Sequence, residues 1–117
     1  MNTVTVHVVG FVYPDWEKRV PKQRDFMLDV RNYIGKGKGK RGGASALHCK
    51  ETEENILAMK GTQDCIAVLV SKIRSLAQMN RDLVIVIGCQ QGKHRSPTVA
   101  RALEKSLGVK VIYHYTK

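Results

Sequence analysis

The 117-residue chain contains no apolar run approaching the roughly 20 residues that a membrane-spanning helix requires, which argues against an integral membrane protein. It begins with no basic segment leading into a signal-type apolar core, which argues against secretion. Cysteine is scarce. Cys49, Cys65 and Cys89 are odd in number and follow no metal-ligand spacing, so reduced thiols in a cytoplasm are expected. No cluster of His, Cys, Asp and Glu is spaced to hold a metal, and neither a metal nor a cofactor is expected. Proline, at three residues, and a hydrophobic share of 43% argue against a disordered chain. Internal repeats are lacking. Acidic residues are few, 10 against 20 Lys and Arg, for a net charge of +10. Such a balance favours polyanionic partners, RNA or DNA ahead of an acidic membrane, with a basic surface serving solubility as the plainer alternative.

What is present reads as a single small α/β domain over residues 1–117, long enough to bury roughly 65% of its unfolded surface. Val4, Val6 and Val8 alternate with Thr3, Thr5 and His7, which predicts a strand over residues 3–9. Residues 10–15 carry turn residues, and 16–24 read as a loop with at most one helical turn. The apolar run from Phe26 to Val30 predicts a second strand, with Asp29 and Arg31 at its C-terminal end, where ligands bind in open α/β sheets. A capping Asp and a solvated Arg are the simpler reading of that pair. Residues 35–43, GKGKGKRGG, alternate Gly with Lys and hold no regular structure. They form either a mobile surface loop or a basic arm in which Lys36, Lys38, Lys40 and Arg41 contact a phosphate backbone without reading bases. Helices are predicted over residues 50–60, with Thr52 as cap, and 62–79, with Thr62 as cap and Ile66, Leu69, Ile73 and Leu76 on one face. Cys65 joins that face as an inert buried thiol. A last strand is expected over residues 109–115. The alternation of strands and helices predicts a mostly parallel sheet with flanking helices.

The densest stretch is Leu83–Leu107. A β-branched run, Leu83 to Ile87, has the composition of a strand buried on both faces, and Val99, Ala102, Leu103 and Leu107 share one helical face. Ser96 suits the helix N-cap, Pro97 its first position and Gly108 its stop. Between strand and helix lie Cys89, Gln90, Gln91, Gly92, Lys93, His94 and Arg95. A tight loop feeding a helix N-terminus directs backbone N–H groups and the positive dipole end at one spot, and three cationic side chains add to it. This is a strand–loop–helix anion site on paper. It is not a Walker A loop, because Gly88 and Gly92 enclose only three residues and His94 follows Lys93. The remaining histidines are quieter: His7 lies on an alternating strand as a structural or exposed residue, and His114 faces either a basic surface or solvent.

Two resemblances compete over this loop. Cys89, Arg95 and Ser96 match the Cys-x5-Arg-Ser/Thr spacing of cysteine phosphatases, in which a thiolate with a depressed pKa attacks phosphorus while the Arg and loop amides hold the phosphoryl group. Asp15, Asp29 and Asp64 sit in no recognisable acid-loop motif, and Gly88 stands where many such enzymes carry His. The longer string Ile87-Gly88-Cys89, then Gly92-Lys93-His94-Arg95-Ser96, resembles the signature of the RapZ family's C-terminal domain, a family of RNase adapter proteins. Gln91 replaces a second glycine of that signature, while Asp29-Val30-Arg31 and Gly10-Phe11 resemble its Asp-Val-Arg and Gly-Phe. The resemblance implies binding of an amino-sugar phosphate, glucosamine-6-phosphate, and of small RNA. It reaches Cys89, Gly92, Lys93, His94, Arg95, Ser96, Asp29 and Arg31. It does not reach Val12-Tyr13-Pro14 or the Gly/Lys arm, where the family has other residues.

The expected function is therefore binding of a phosphorylated ligand, amino-sugar phosphate or nucleotide, at Cys89–Ser96, with RNA on the basic surface. Lys93 and Arg95 neutralise the anion, the amides of Gln90 to Arg95 cradle it, and Asp29 accepts from a sugar hydroxyl or amine. A cysteine phosphatase using Cys89 and Arg95 is the alternative. Phosphate or sulfate, a phosphorylated small molecule and RNA are the expected partners, with a homo-oligomer left open and no membrane.

Overall fold

The computed structural model describes residues 2–35 and 45–115. Four strands and three α-helices lie among them, in the order β1 Val4–Gly10, β2 Phe26–Asp29, α1 Lys50–Leu57, α2 Lys60–Ala77, β3 Leu83–Cys89, α3 Arg95–Leu107 and β4 Lys110–Tyr113. Short 3-10 turns stand at Trp16–Arg19, Val30–Asn32 and Ala46–His48. The sheet runs β2-β3-β1-β4 and every pairing is parallel, so the expected α/β class holds. The two seven-residue strands, β1 and β3, take the centre, and the four-residue strands form the edges. Val and Ile dominate the central pair, whose pleated surface suits branched side chains.

One face of the sheet carries the main core. Val6, Val8, Ile85, Ile87 and Cys89 meet Ile56 of α1, Leu69 and Ile73 of α2, and Val99 and Leu103 of α3. Burying a side chain of this kind contributes about 1.5–3 kcal/mol. The opposite face has a smaller cluster, Val9, Val20 and Val86, covered by Phe11, Trp16 and Tyr115 instead of a helix. Cys65 is fully buried, and burial pushes its thiol up to about 11, as expected of an inert cysteine.

Three predicted caps are corrected, each because another group claims the side chain. α2 begins at Lys60, with Met59 in the cap position, and Thr62 lies inside it. Only Ala58 and Met59 separate the two helices, so the Thr62 hydroxyl donates to the Ile56 carbonyl at 2.6 Å and satisfies the end of α1. Thr52 lies inside α1 and its hydroxyl contacts Cys49 Sγ at 3.1 Å. α3 begins at Arg95 with His94 in the cap position; Ser96 turns to Cys89 instead, and Pro97 falls third, where its missing N–H still costs nothing. Gly108 ends α3 at φ +67, its N–H on the Glu104 carbonyl, as read from the sequence. The expected helices at 50–60 and 62–79 and the strand at 109–115 are each somewhat shifted or shorter, although the His114 amide still bonds the Val8 carbonyl beyond β4.

Candidate functional site

β1 and β3 are neighbours, yet the chain leaves them in opposite directions, β1 toward β2 and β3 through α3 toward β4. In an open α/β sheet, the carboxyl ends of such a strand pair are where ligands bind. The Cys89 loop occupies that position. Its backbone is held by β1's continuation: the Phe11 amide donates to the Cys89 carbonyl at 2.9 Å and the Val12 amide to the Gln90 carbonyl at 3.1 Å.

Two glycines make this docking sterically possible. A Cβ on Gly10 would lie 2.5 Å from the Gln91 carbonyl carbon. Gly92 takes φ +69, and a Cβ there would meet the Val9 backbone at 2.9 Å. Larger residues would displace the loop from β1. On its far side the Lys93 carbonyl accepts from the Ala46 amide at 2.7 Å, tying the loop to the turn before α1.

Cys89, Arg95 and Ser96 are buried, Gln90, Lys93 and His94 half-buried, and Gln91 exposed. Cys89 Sγ and Ser96 Oγ are 3.1 Å apart. Arg95 is 6% exposed and Nη1 donates to the Ile34 carbonyl at 3.0 Å. A guanidinium has five N–H donors, and among the described residues no carboxylate forms an ion pair with Arg95. A buried cation in that condition is costly unless an anion joins it.

Asp29 is in register with Gly88 across β2 and β3, so the tertiary structure places it at the same sheet edge. The capping reading of Asp29 holds, and its partner Arg31 is exposed. The Asp29 carboxylate caps the 3-10 turn by accepting the Arg31 amide at 3.0 Å, and it takes the Arg31 guanidinium at 2.7 Å. The Arg31 hydrogen bond holds the Asp29 carboxyl below its ordinary range, with the charge on Arg95 acting in the same direction. Asp29 in turn raises the Arg31 guanidinium, which lies 5.3 Å from the Phe11 ring centre. Lys36, Lys38, Lys40 and Arg41 lie outside the described residues. The Ile34 and Lys93 carbonyls, which anchor the site, carry no signal in sequence; both are backbone groups joined to distant partners by folding alone.

These features define a class, parallel α/β domains with a strand–loop–helix element at the carboxyl edge of the sheet. Within it the chain belongs to the RapZ C-terminal domain family, whose sequence model matches residues 4–116. It is also similar to a protein named "Nucleotide-binding protein" from Lachnoclostridium phytofermentans, with 30% identity over 114 residues. That alignment takes in 89% of this chain and 36% of the relative's length. No helix of the described residues is long and apolar enough to cross a membrane.

Proposed function

We propose that the Cys89–Ser96 loop binds a phosphorylated ligand, an amino-sugar phosphate or a nucleotide, and that the domain is a receptor, not a phosphatase. The observation carrying this reading is the buried Arg95, held by the Ile34 carbonyl and in ion-pair contact with no carboxylate among the described residues. Around it the loop amides and Lys93 supply further positive potential at the start of α3. Asp29 and Arg31 flank the site and select among ligands by their hydroxyl or amine groups. The name of the similar protein is consistent with a nucleotide. The proposed compartment is the cytoplasm, in keeping with three unpaired thiols.

The receptor reading predicts that the reduced protein does not hydrolyse a generic aryl phosphate above the blank. Cys89 is 3% exposed, with its Sγ against the Ser96 hydroxyl. Turnover that disappears in Cys89→Ser would instead make Cys89 a nucleophile and Arg95 its phosphate-binding partner.

RNA on the basic surface is the second part of the proposal. Arg19, Arg24 and Arg31 lie over the rings of Tyr115, Trp16 and Phe11, which puts guanidinium and aromatic groups side by side on the β1–β2 connection and on the segments after β2 and β4. Neutralising Lys36, Lys38, Lys40 and Arg41 together is expected to lower the slope of log affinity against log salt by about 3 for a single-stranded RNA. An unaltered slope would remove the arm from the interface.

A further inference from the structure

His7 and His114 meet on the sheet face opposite the helices. His7 is 7% exposed, in register with Val86 of β3 and Ile112 of β4. The two rings stack at 5.3 Å with an 11° interplanar angle, and His7 Nδ1 lies 3.0 Å from His114 Nε2. That contact needs one N–H and one lone pair, so it survives only while at most one ring is charged. The charged groups facing the pair are Lys110 from β4 and Arg19 from the 3-10 turn, both cationic, while β3 presents the apolar Val86. Burial, then the His114 ring and Lys110, lower the His7 pKa from 6.5; burial and then Arg19 lower that of His114. With the folded values depressed, the stabilisation from the neutral pair is complete above about 6.5 and declines as pH falls from there through the folded values.

The pair secures the chain that follows it. Tyr115 stacks on Tyr13 at 4.3 Å and its hydroxyl donates to Asp15 at 2.9 Å. Tyr115 also covers the small cluster that includes Trp16 and Phe11. Phe11 and Val12 are the residues whose amides hold the Cys89 loop.

We propose that the His7–His114 pair is a proton-operated latch on the anion loop: the second protonation parts the rings, frees Tyr115 from Tyr13 and Asp15, and loosens the Phe11–Trp16 segment behind Cys89 and Gln90. Only the final consequence, weaker anion binding, rests on the function proposed above. Trp16, the one tryptophan of the chain, reports the segment by its emission. The experiment follows that emission and the affinity for sulfate, whose charge is constant over the range, from about pH 7.5 to about pH 5. His114→Phe, which keeps a stacking ring, and His7→Gln are compared with the full wild-type chain.

The expected result is a wild-type emission change with its midpoint below 6.5, absent from both variants. Sulfate affinity relative to His114→Phe should fall about 5-fold across the change. Any pH effect common to both proteins cancels in that ratio. A flat wild-type profile, or the same profile in either folded variant, overturns the latch. An emission change with a pH-independent affinity ratio overturns the link to the loop. An emission change with no sulfate binding at any pH supports the latch and overturns the anion site.

Discussion

Arg95→Ala is expected to weaken anion binding about 100-fold while changing the stability of the ligand-free protein little. Two opposing terms set the second outcome. Removing the guanidinium orphans the buried Ile34 carbonyl, which costs about 1–3 kcal/mol. It also removes a desolvated cation lacking an ion-pair partner among the described residues, whose burial costs a similar amount. The effect on the complex has no such offset. Losing the charge-assisted bonds of a forked donor lowers affinity for sulfate or phosphate about 100-fold. A sulfate concentration of about 100 Kd stabilises the wild type by about 2.7 kcal/mol. For a domain of this size that is a rise of about 10 °C or more in Tm. The variant should show almost none of it. Arg95→Lys keeps the charge without the fork and should fall between the two. Calorimetric titration and thermal unfolding with and without sulfate measure these effects, and an unchanged sulfate affinity in Arg95→Ala would remove Arg95 from the site.

Gly61→Ala is expected to destabilise the protein by about 3 kcal/mol or more, the reverse of what its position on α2 suggests. In an exposed helix this replacement gains about 1 kcal/mol. Here a Cβ would lie 1.9 Å from the Tyr33 carbonyl oxygen and 3.0 Å from its carbon, a backbone neighbour that cannot swing aside. Either α2 or the segment after β2 must move. That segment includes Ile34, whose carbonyl holds Arg95, so sulfate affinity should weaken together with Tm although Gly61 is on another element. A raised Tm would show that the Tyr33 segment yields without cost.

The loop was legible because its chemistry is local. Gly92, Lys93, His94, Arg95 and Ser96 are consecutive, and a β-branched run before them with a helical pattern after them identifies a strand–loop–helix unit from spacing alone. The parallel sheet followed from the alternation of elements, and the stop at Gly108 from its tolerance of positive φ. Caps were less legible. Ser96, Thr52 and Thr62 are all cap-forming residues near helix starts, yet each hydroxyl finds another partner, so propensity lost to a competing contact.

What the sequence determined by itself, then, was the set of elements and the residues of one contiguous loop, since periodicity and turn chemistry act over a few neighbours. Tertiary structure decided what the loop rests on. Strand order set β1 beside β3 and put Asp29 opposite Gly88. Chain packing brought the Ile34 carbonyl to Arg95 across 61 positions and His114 to His7 across 107. Neither contact leaves a mark in composition or spacing, because a backbone carbonyl has no residue type and two distant histidines share no period. Closing the sheet is what makes them neighbours.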